Sequence, residues 1–435
     1  MQMNPKLIIA IIAVVVIVVA AAIVLLWQQP PQAGQPTAPQ QATQITQTQT
    51  TTGQQTTPPP QTTTPPSTTQ PPQTTTQAQT RPWEGLKGDI LGGGSTFVNP
   101  QMQKWSRDFL AATNGGVRVN YQSIGSGAGA AQFIAGKLDY GASDVPMPGD
   151  RYLNISGKFV QFPVVIGSIV VVYNVPEIAY EKTGKYLRLT GDVIADIYMG
   201  KIKQWCDDRI KQLNPDLADK LPCRDIIGVH RSDGSGTTAA FTLWLSKVSQ
   251  EWNSTVGWSY TVKWPRDELG LGKGGKGNEG VAQAVLETPY SIGYIEYAYW
   301  WANRKKYDQV GGVAELYNRN DGQWYLPSVE SVQMGAASGL QRVAQKLGRY
   351  PDPKEDWNPI SIEFSDPPKG YPIMAFVYVF LWTEYPQDKA QLLRGFFYWV
   401  LTEGQKPEHI VEGYIPLPKE LAEIGLKALE LVKAK

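Results

Sequence analysis

The chain has 435 residues, a formal net charge of +1, two histidines and two cysteines. That length allows more than one domain. Near-neutral charge argues against nucleic-acid binding, which needs a basic face or arm, and the scarcity of His and Cys argues against a zinc site.

In chain order, residues 7–27 (LIIAIIAVVVIVVAAAIVLLW) form an uninterrupted apolar run behind Lys6. As a helix this run spans about 30 Å, one bilayer core, and it exceeds the ~7–15 residues of a signal-peptide core. A retained anchor within residues 1–27 is therefore preferred, with Lys6 inside and everything after Trp27 outside. The alternative is a long signal cleaved near Ala20–Ala22. No cysteine lies nearby to carry a lipid. Residues 28–82 are almost wholly Gln, Thr, Pro, Ala, Gly and Ser, without charge before Arg81. Such a segment cannot bury enough apolar surface to fold and reads as a disordered, Pro-stiffened stalk.

From Trp83 onward one theme repeats: strand, small-residue turn, helix. GDILGGGSTFVNP leads into QMQKWSRDFLAAT, where Met102, Trp105, Phe109 and Ala112 share a face, and Asn114-Gly115-Gly116 ends the helix. VRVNYQS alternates as a strand; IGSGAGA then precedes the helical AQFIAGKL, and DYGASD gives a short strand ending at Asp144. DIIGVH reads as another strand before RSDGSGTT. The helix that follows carries Phe241, Trp244, Leu245, Val248 and Trp252 on one face. These units predict an α/β fold with a largely parallel sheet, whose ligand lies beyond the carboxyl ends of the strands. Cys206 and Cys223 bracket one loop, and outside a cell a disulfide is the natural reading.

Three motifs suggest other chemistry. Residues 125–130 (GSGAGA) match G-x-G-x-x-A, with Asp144 in reach as the acidic partner of a dinucleotide fold, but the crossover helix is very short. GLGKGGKG at 270–277 nearly matches a phosphate-binding P-loop; Gly277 stands where a magnesium-binding hydroxyl belongs, and the segment reads as a mobile surface loop. A serine hydrolase would need Ser235 with His230 or His409 as base, yet no G-x-S-x-G elbow is present. Binding accounts for more. Thr96, Ser126, Ser235 and Thr237 are hydroxyl donors at the starts of different predicted helices, and Arg231 offers a planar fork suited to a tetrahedral oxyanion. Each hydroxyl read singly is an N-cap or turn residue; together they form an oxyanion cage.

The chain resembles the phosphate-binding proteins of the phosphate ABC importer, from about Gly88 to Pro418. The resemblance rests on STFVNPQMQKW, NYQSIGSGAG, DYGASDVPM, LTGDVIADIYMGKIKQW, RSDGSGTT, GNEGVAQAV and SIGYIEYAY. It implies a two-lobe, periplasmic-binding-protein-like (type II) fold with two hinge crossings, near GSIVVVYN and YPIMAFVYVF. Lobe I would comprise residues 83–169 and 373–435, and lobe II residues 170–372. It further implies phosphate contacts from Thr96 and Phe97 (by backbone N–H), Ser126, Asp144, Arg231, Ser235, Gly236 and Thr237. Asp233 would either orient Arg231 or form an Asx turn. Gly127-Ala128 replace a more usual Ser-Gly, and Val98 stands where proline is common. The expected partners are inorganic phosphate and ABC permease subunits, with no cofactor, no metal and no catalysis. The expected form is a monomer at the cell surface. The sequons at Asn154 and Asn253 fit that location.

Overall fold

A computed structural model describes residues 81–435. The anchor expected within residues 1–27 and the stalk up to residue 80 lie outside the described residues. Among the described residues no helix is long and apolar enough to cross a membrane.

Side-chain patterning sets each strand's place in the sheet. β1 (Gly88–Gly94) and β2 (Val117–Ser123) pair in parallel, and β2 alternates buried Val117, Val119 and Tyr121 with exposed residues. That is the pattern of an edge strand with one covered face. β3 (Tyr140–Ser143) lies on the other side of β1. β4 (Phe159–Asn174) is buried along its whole length, as a central strand covered on both faces must be. β5 (Ile227–Arg231), β6 (Gly272–Gly275), β7 (Ser291–Glu296), β8 (Gly311–Val313) and β9 (Met374–Trp382) complete a nine-stranded sheet. Its order is β2-β1-β3-β9-β4-β7-β5-β6, with β8 paired to β4.

The sheet is mixed, where a largely parallel one was expected. β1–β3 are parallel to one another, as are β5–β7, but β9 and β4 join the two sets through antiparallel pairs. β4 pairs with β9 from Phe159 to Ser168 and with β7 from Ile169 to Asn174. A bulge near Pro163, which has no N–H to give, absorbs one residue. Because β7 runs against β4 while β1–β3 run with it, the carboxyl ends of the two parallel sets face each other at the level of Ser168 and Ile169. The topology thus aims five strand-to-helix loops at one place.

The helices that leave these loops are α1 (Asn99–Ala112), α2 (Ser126–Ile134), α3 (Gly236–Val248), α4 (Gly277–Glu287) and α5 (Tyr297–Val310). α1 buries Met102, Trp105 and Phe109 as its spacing predicts, while Ala112 is exposed. α2 begins within the glycine motif itself and ends at Ile134, so its predicted position was late by about a turn. Gly125, at φ +87°, makes the sharp entry that only glycine adopts readily. α3 stops at Val248, and Trp252 belongs to a separate short helix, Gln250–Thr255. The expected mobile loop at 270–277 is instead largely ordered strand: β6 pairs in parallel with β5 from Gly272 to Gly275. Glycine has little intrinsic preference for a strand, and pairing to a buried neighbour supplies it.

Cys206 and Cys223 form a disulfide with Cα atoms 4.8 Å apart, closing a loop of sequence separation 17. Loop closure of this size contributes about 3 kcal/mol. Reduction is expected to lower denaturant stability by that amount, with ligand affinity unchanged. A reduced protein with an unaltered unfolding midpoint would show that the bridge is dispensable.

Candidate anion-binding site

The loop after β1 is pinned from outside. Ser95 N–H donates to the Ala142 carbonyl at 2.9 Å. Three tyrosine hydroxyls then donate to successive carbonyls: Tyr121 to Ser95 (2.8 Å), Tyr299 to Thr96 (2.6 Å) and Tyr414 to Phe97. In a trans peptide the carbonyl of one residue and the N–H of the next point opposite ways. The tyrosines on Ser95 and Thr96 therefore turn the N–H groups of Thr96 and Phe97 to the other side, where the resemblance expects backbone donors.

The same loop reaches Asp144, only 2% exposed, through the Ser95 side chain. Its Oδ1 accepts from the Ser95 hydroxyl and its Oδ2 from Thr237 Oγ1 at 3.0 Å. Burial raises its pKa from 3.8 to about 6, against the opposing pull of the Ser95 and Thr237 hydroxyls and the Arg231 charge. The ligand-free fold thus holds this proton more tightly than the unfolded chain does. The associated stability is complete below about pH 4 and is lost as pH rises through 6.

Ser126, the first residue of α2, is buried, and its Oγ has no partner among the described residues. A buried hydroxyl left unpaired is costly unless something else occupies the space it faces. Gly236 packs directly on it: a Cβ there would lie 2.5 Å from Ser126 Oγ and 2.7 Å from the Asp144 nitrogen. Ser235 caps α3 by accepting the Thr238 N–H at 3.0 Å, which leaves its own hydroxyl proton available. The starts of α2 and α3 also touch through backbone, Gly127 N–H donating to the Gly234 carbonyl at 2.9 Å. A side chain on Gly127 would press on Gly234, so the glycine in place of serine permits this approach. Val98, in place of proline, has an N–H, and gives it to Ser95 Oγ at 3.2 Å.

Asp233 orients Arg231; the Asx-turn alternative does not describe its contacts. Arg231 Nε and Nη2 donate to the two Asp233 carboxylate oxygens at 2.8 and 2.6 Å, leaving Nη1 near Thr237 Oγ1 at 3.5 Å. Burial pushes the Asp233 pKa up, but the Arg231 hydrogen bonds and charge, with the Gly277 N–H, bring it below its ordinary value. With Arg231 neutralised in this way and Asp144 ionised, the cluster is formally negative. Any affinity for an anion must come from N–H and O–H dipoles.

The motifs suggesting other chemistry are used elsewhere. His230 spends its nitrogens on Asp267 Oδ1 (2.9 Å) and the Arg231 carbonyl (3.0 Å), and His409 contacts Asp108. Neither histidine is a base for Ser235. The GSGAGA turn is shaped by its contact with the loop before α3, where a Cβ on Gly125 would strike Asp233.

A family model described as a PBP superfamily domain matches residues 39–403. The phosphate-binding protein PstS of Methanocaldococcus jannaschii is 41% identical, over 78% of this chain and 85% of that protein. The chain belongs to the phosphate-binding protein PstS family. The Pasteurella multocida protein of the same name is 40% identical, over 76% of this chain and 87% of its own length. The fold is likewise similar to that of a high-affinity periplasmic phosphate-binding protein, PfluDING, with a TM-score of 0.57 at 21% identity, covering 77% of this chain and 92% of that one.

In this PstS-family chain the residues expected to contact the anion, from Thr96 to Thr237, lie on the loops that come together beyond the strand ends. Sequence reasoning missed Ser95, adjacent to Thr96, and the three tyrosines that hold the first loop. It quoted GNEGVAQAV without giving Asn278 a role. Asn278 is buried and hydrogen-bonds both Thr96 and Thr237.

Proposed function

We propose that the chain binds inorganic phosphate in this cage, outside the cell, and hands it to an ABC permease for import. The observation that carries the reading is a buried carboxylate set among hydroxyl and N–H donors. Such a group repels a fully deprotonated anion and attracts one that still bears a proton. Hydrogen phosphate bears one near neutral pH; sulfate does not. Asp144 would accept that proton, while Thr96 and Phe97 N–H, Ser126, Ser235, Gly236, Thr237 and Arg231 Nη1 serve the remaining oxygens. A site built around one ligand hydrogen bond rejects an analogue lacking it by roughly 10⁴–10⁵-fold. Calorimetric titration of the purified protein with phosphate and with sulfate tests this. Equal affinities would refute it.

The pKa of about 6 adds a pH signature. Above neutrality Asp144 is an acceptor. At pH 5 it is largely protonated and can donate to sulfate instead. The phosphate-to-sulfate affinity ratio is therefore expected to be largest near pH 7.5 and to narrow at pH 5 in competition titrations; a flat ratio would remove Asp144 as the discriminator.

We read residues 83–169 and 373–435 as one lobe and 170–372 as the other, hinged where β4 passes from Ser168 to Ile169 and where the chain enters β9. The segment near Pro353 reaches back to Gln161, whose N–H donates to the Pro353 carbonyl at 2.8 Å. Residues 7–27 would anchor a monomer to the cytoplasmic membrane, the stalk carrying it to the permease. Release of the full-length protein from membranes by high salt without detergent would count against the anchor.

A further inference from the structure

We propose that Asn278 is a positioning residue that sets the direction of the hydroxyl protons in the cage, so that Thr96 faces the ligand as a donor, Thr237 gives its proton to Asp144, and Asp144 is left as an acceptor. This deepens the phosphate reading and rests on it.

The assignment follows from what each group can do. Asn278 is the second residue of α4 and only 1% exposed. Its Oδ1 lies 2.9 Å from the Glu296 backbone nitrogen. A backbone N–H can only donate, so the amide oxygen must face it and the NH₂ group must face the other way. That NH₂ has two hydrogens and two neighbours, Thr96 Oγ1 at 2.9 Å and Thr237 Oγ1 at 3.1 Å. Thr96 Oγ1 also receives the Asn278 backbone N–H at 3.1 Å. Both acceptor positions of the Thr96 hydroxyl are then filled, and its one remaining capacity is to donate. Thr237 Oγ1 receives from Asn278 and from Arg231 Nη1, and passes its own proton to Asp144 Oδ2. Proton direction therefore runs from Glu296 N–H through Asn278 and Thr237 to Asp144. The same amide ties the loop after β1 to the start of α3, one contact from each side of the facing strand ends.

Asn278→Asp tests the idea, because a carboxylate has the amide's shape and no hydrogen to give. It still accepts the Glu296 N–H, but the Thr96 hydroxyl now turns its proton towards it and away from the ligand, and the Thr237 hydroxyl turns its proton away from Asp144. Phosphate affinity at pH 8, read by calorimetry, is expected to fall about 10²-fold, the loss of one donor to a charged ligand. Burial at this position raises the pKa of the introduced carboxyl, so that at pH 5 it takes up a proton and can donate again, and the variant-to-parent affinity ratio should recover by about tenfold. Asp144, Arg231, Asp233 and Glu296 are common to both proteins, so the ratio cancels their own titration to first order. Asn278→Ala, which keeps the backbone N–H, should lose about tenfold at both pH values. It leaves the Glu296 N–H without its partner and so lowers the melting temperature; with circular dichroism confirming its fold, it stands as the test if the aspartate variant does not fold. Affinity within threefold of the parent for either folded variant would overturn the proposal, as would an aspartate deficit that is identical at pH 8 and pH 5. A parent protein that fails to bind phosphate takes the functional reading down as well; a binding parent confines the failure to Asn278.

Discussion

Exchanging Asp144 for Asn collapses the preference for phosphate over sulfate by about 10⁴-fold. The amide keeps the size and most of the hydrogen bonding of the carboxylate but replaces one acceptor with a donor. Phosphate loses the partner for its proton, and sulfate gains a hydrogen bond where it met repulsion. The same exchange removes a buried charge whose pKa of about 6 marks an unfavourable environment. Ligand-free stability at pH 7 should rise by about 3 kcal/mol, the equivalent of that shift. Denaturant melts and competition calorimetry on one preparation would read both effects. A variant that is more stable but equally selective would mean that another group discriminates between the anions.

Arg231→Ala is expected to cost phosphate affinity by about 10²–10³-fold, and to cost more than the loss of one ligand contact. The guanidinium also neutralises Asp233, and its removal strands a half-buried carboxylate beside the anion, a change worth about 3–5 kcal/mol. The double exchange Arg231→Ala with Asp233→Asn should therefore bind phosphate better than the single one. Arg231→Lys should rescue little, because an ammonium cannot span both Asp233 oxygens and still extend a donor to the cage. If the single and double variants bind equally, Asp233 has no part in the electrostatics of the site. Circular dichroism separates either result from misfolding.

The site loops were legible because their chemistry is local. Ser126, Ser235 and Thr237 stand where a strand ends and a helix starts, and small residues there expose N–H groups whatever the rest of the fold does. Asp144 was placed at the end of a short strand, but its part in the site came from the family resemblance. What holds these groups in place was not legible. Tyr121, Tyr299 and Tyr414 reach the first loop from 26, 203 and 317 positions away, and only the folded topology brings them there. Asn278 lay in a recognised motif, but its partners sit on other elements. β6 was missed because GKGG has no side chains to signal a strand; its order comes from β5. The antiparallel joins through β4 and β9 were hidden for a related reason, since both strands are mostly apolar and buried runs do not reveal their direction.

The seam between Gly127 and Gly234 has a further consequence. At Gly127 and Gly234 themselves neither loop carries a side chain, so parting them at that point breaks a backbone hydrogen bond but unlocks no interdigitated packing. In the two-lobe reading proposed above, a clasp with so little to rearrange would ease release of the cargo. Bulk added at residue 127 would act as a doorstop, weakening retention of the cargo and leaving its chemical recognition intact.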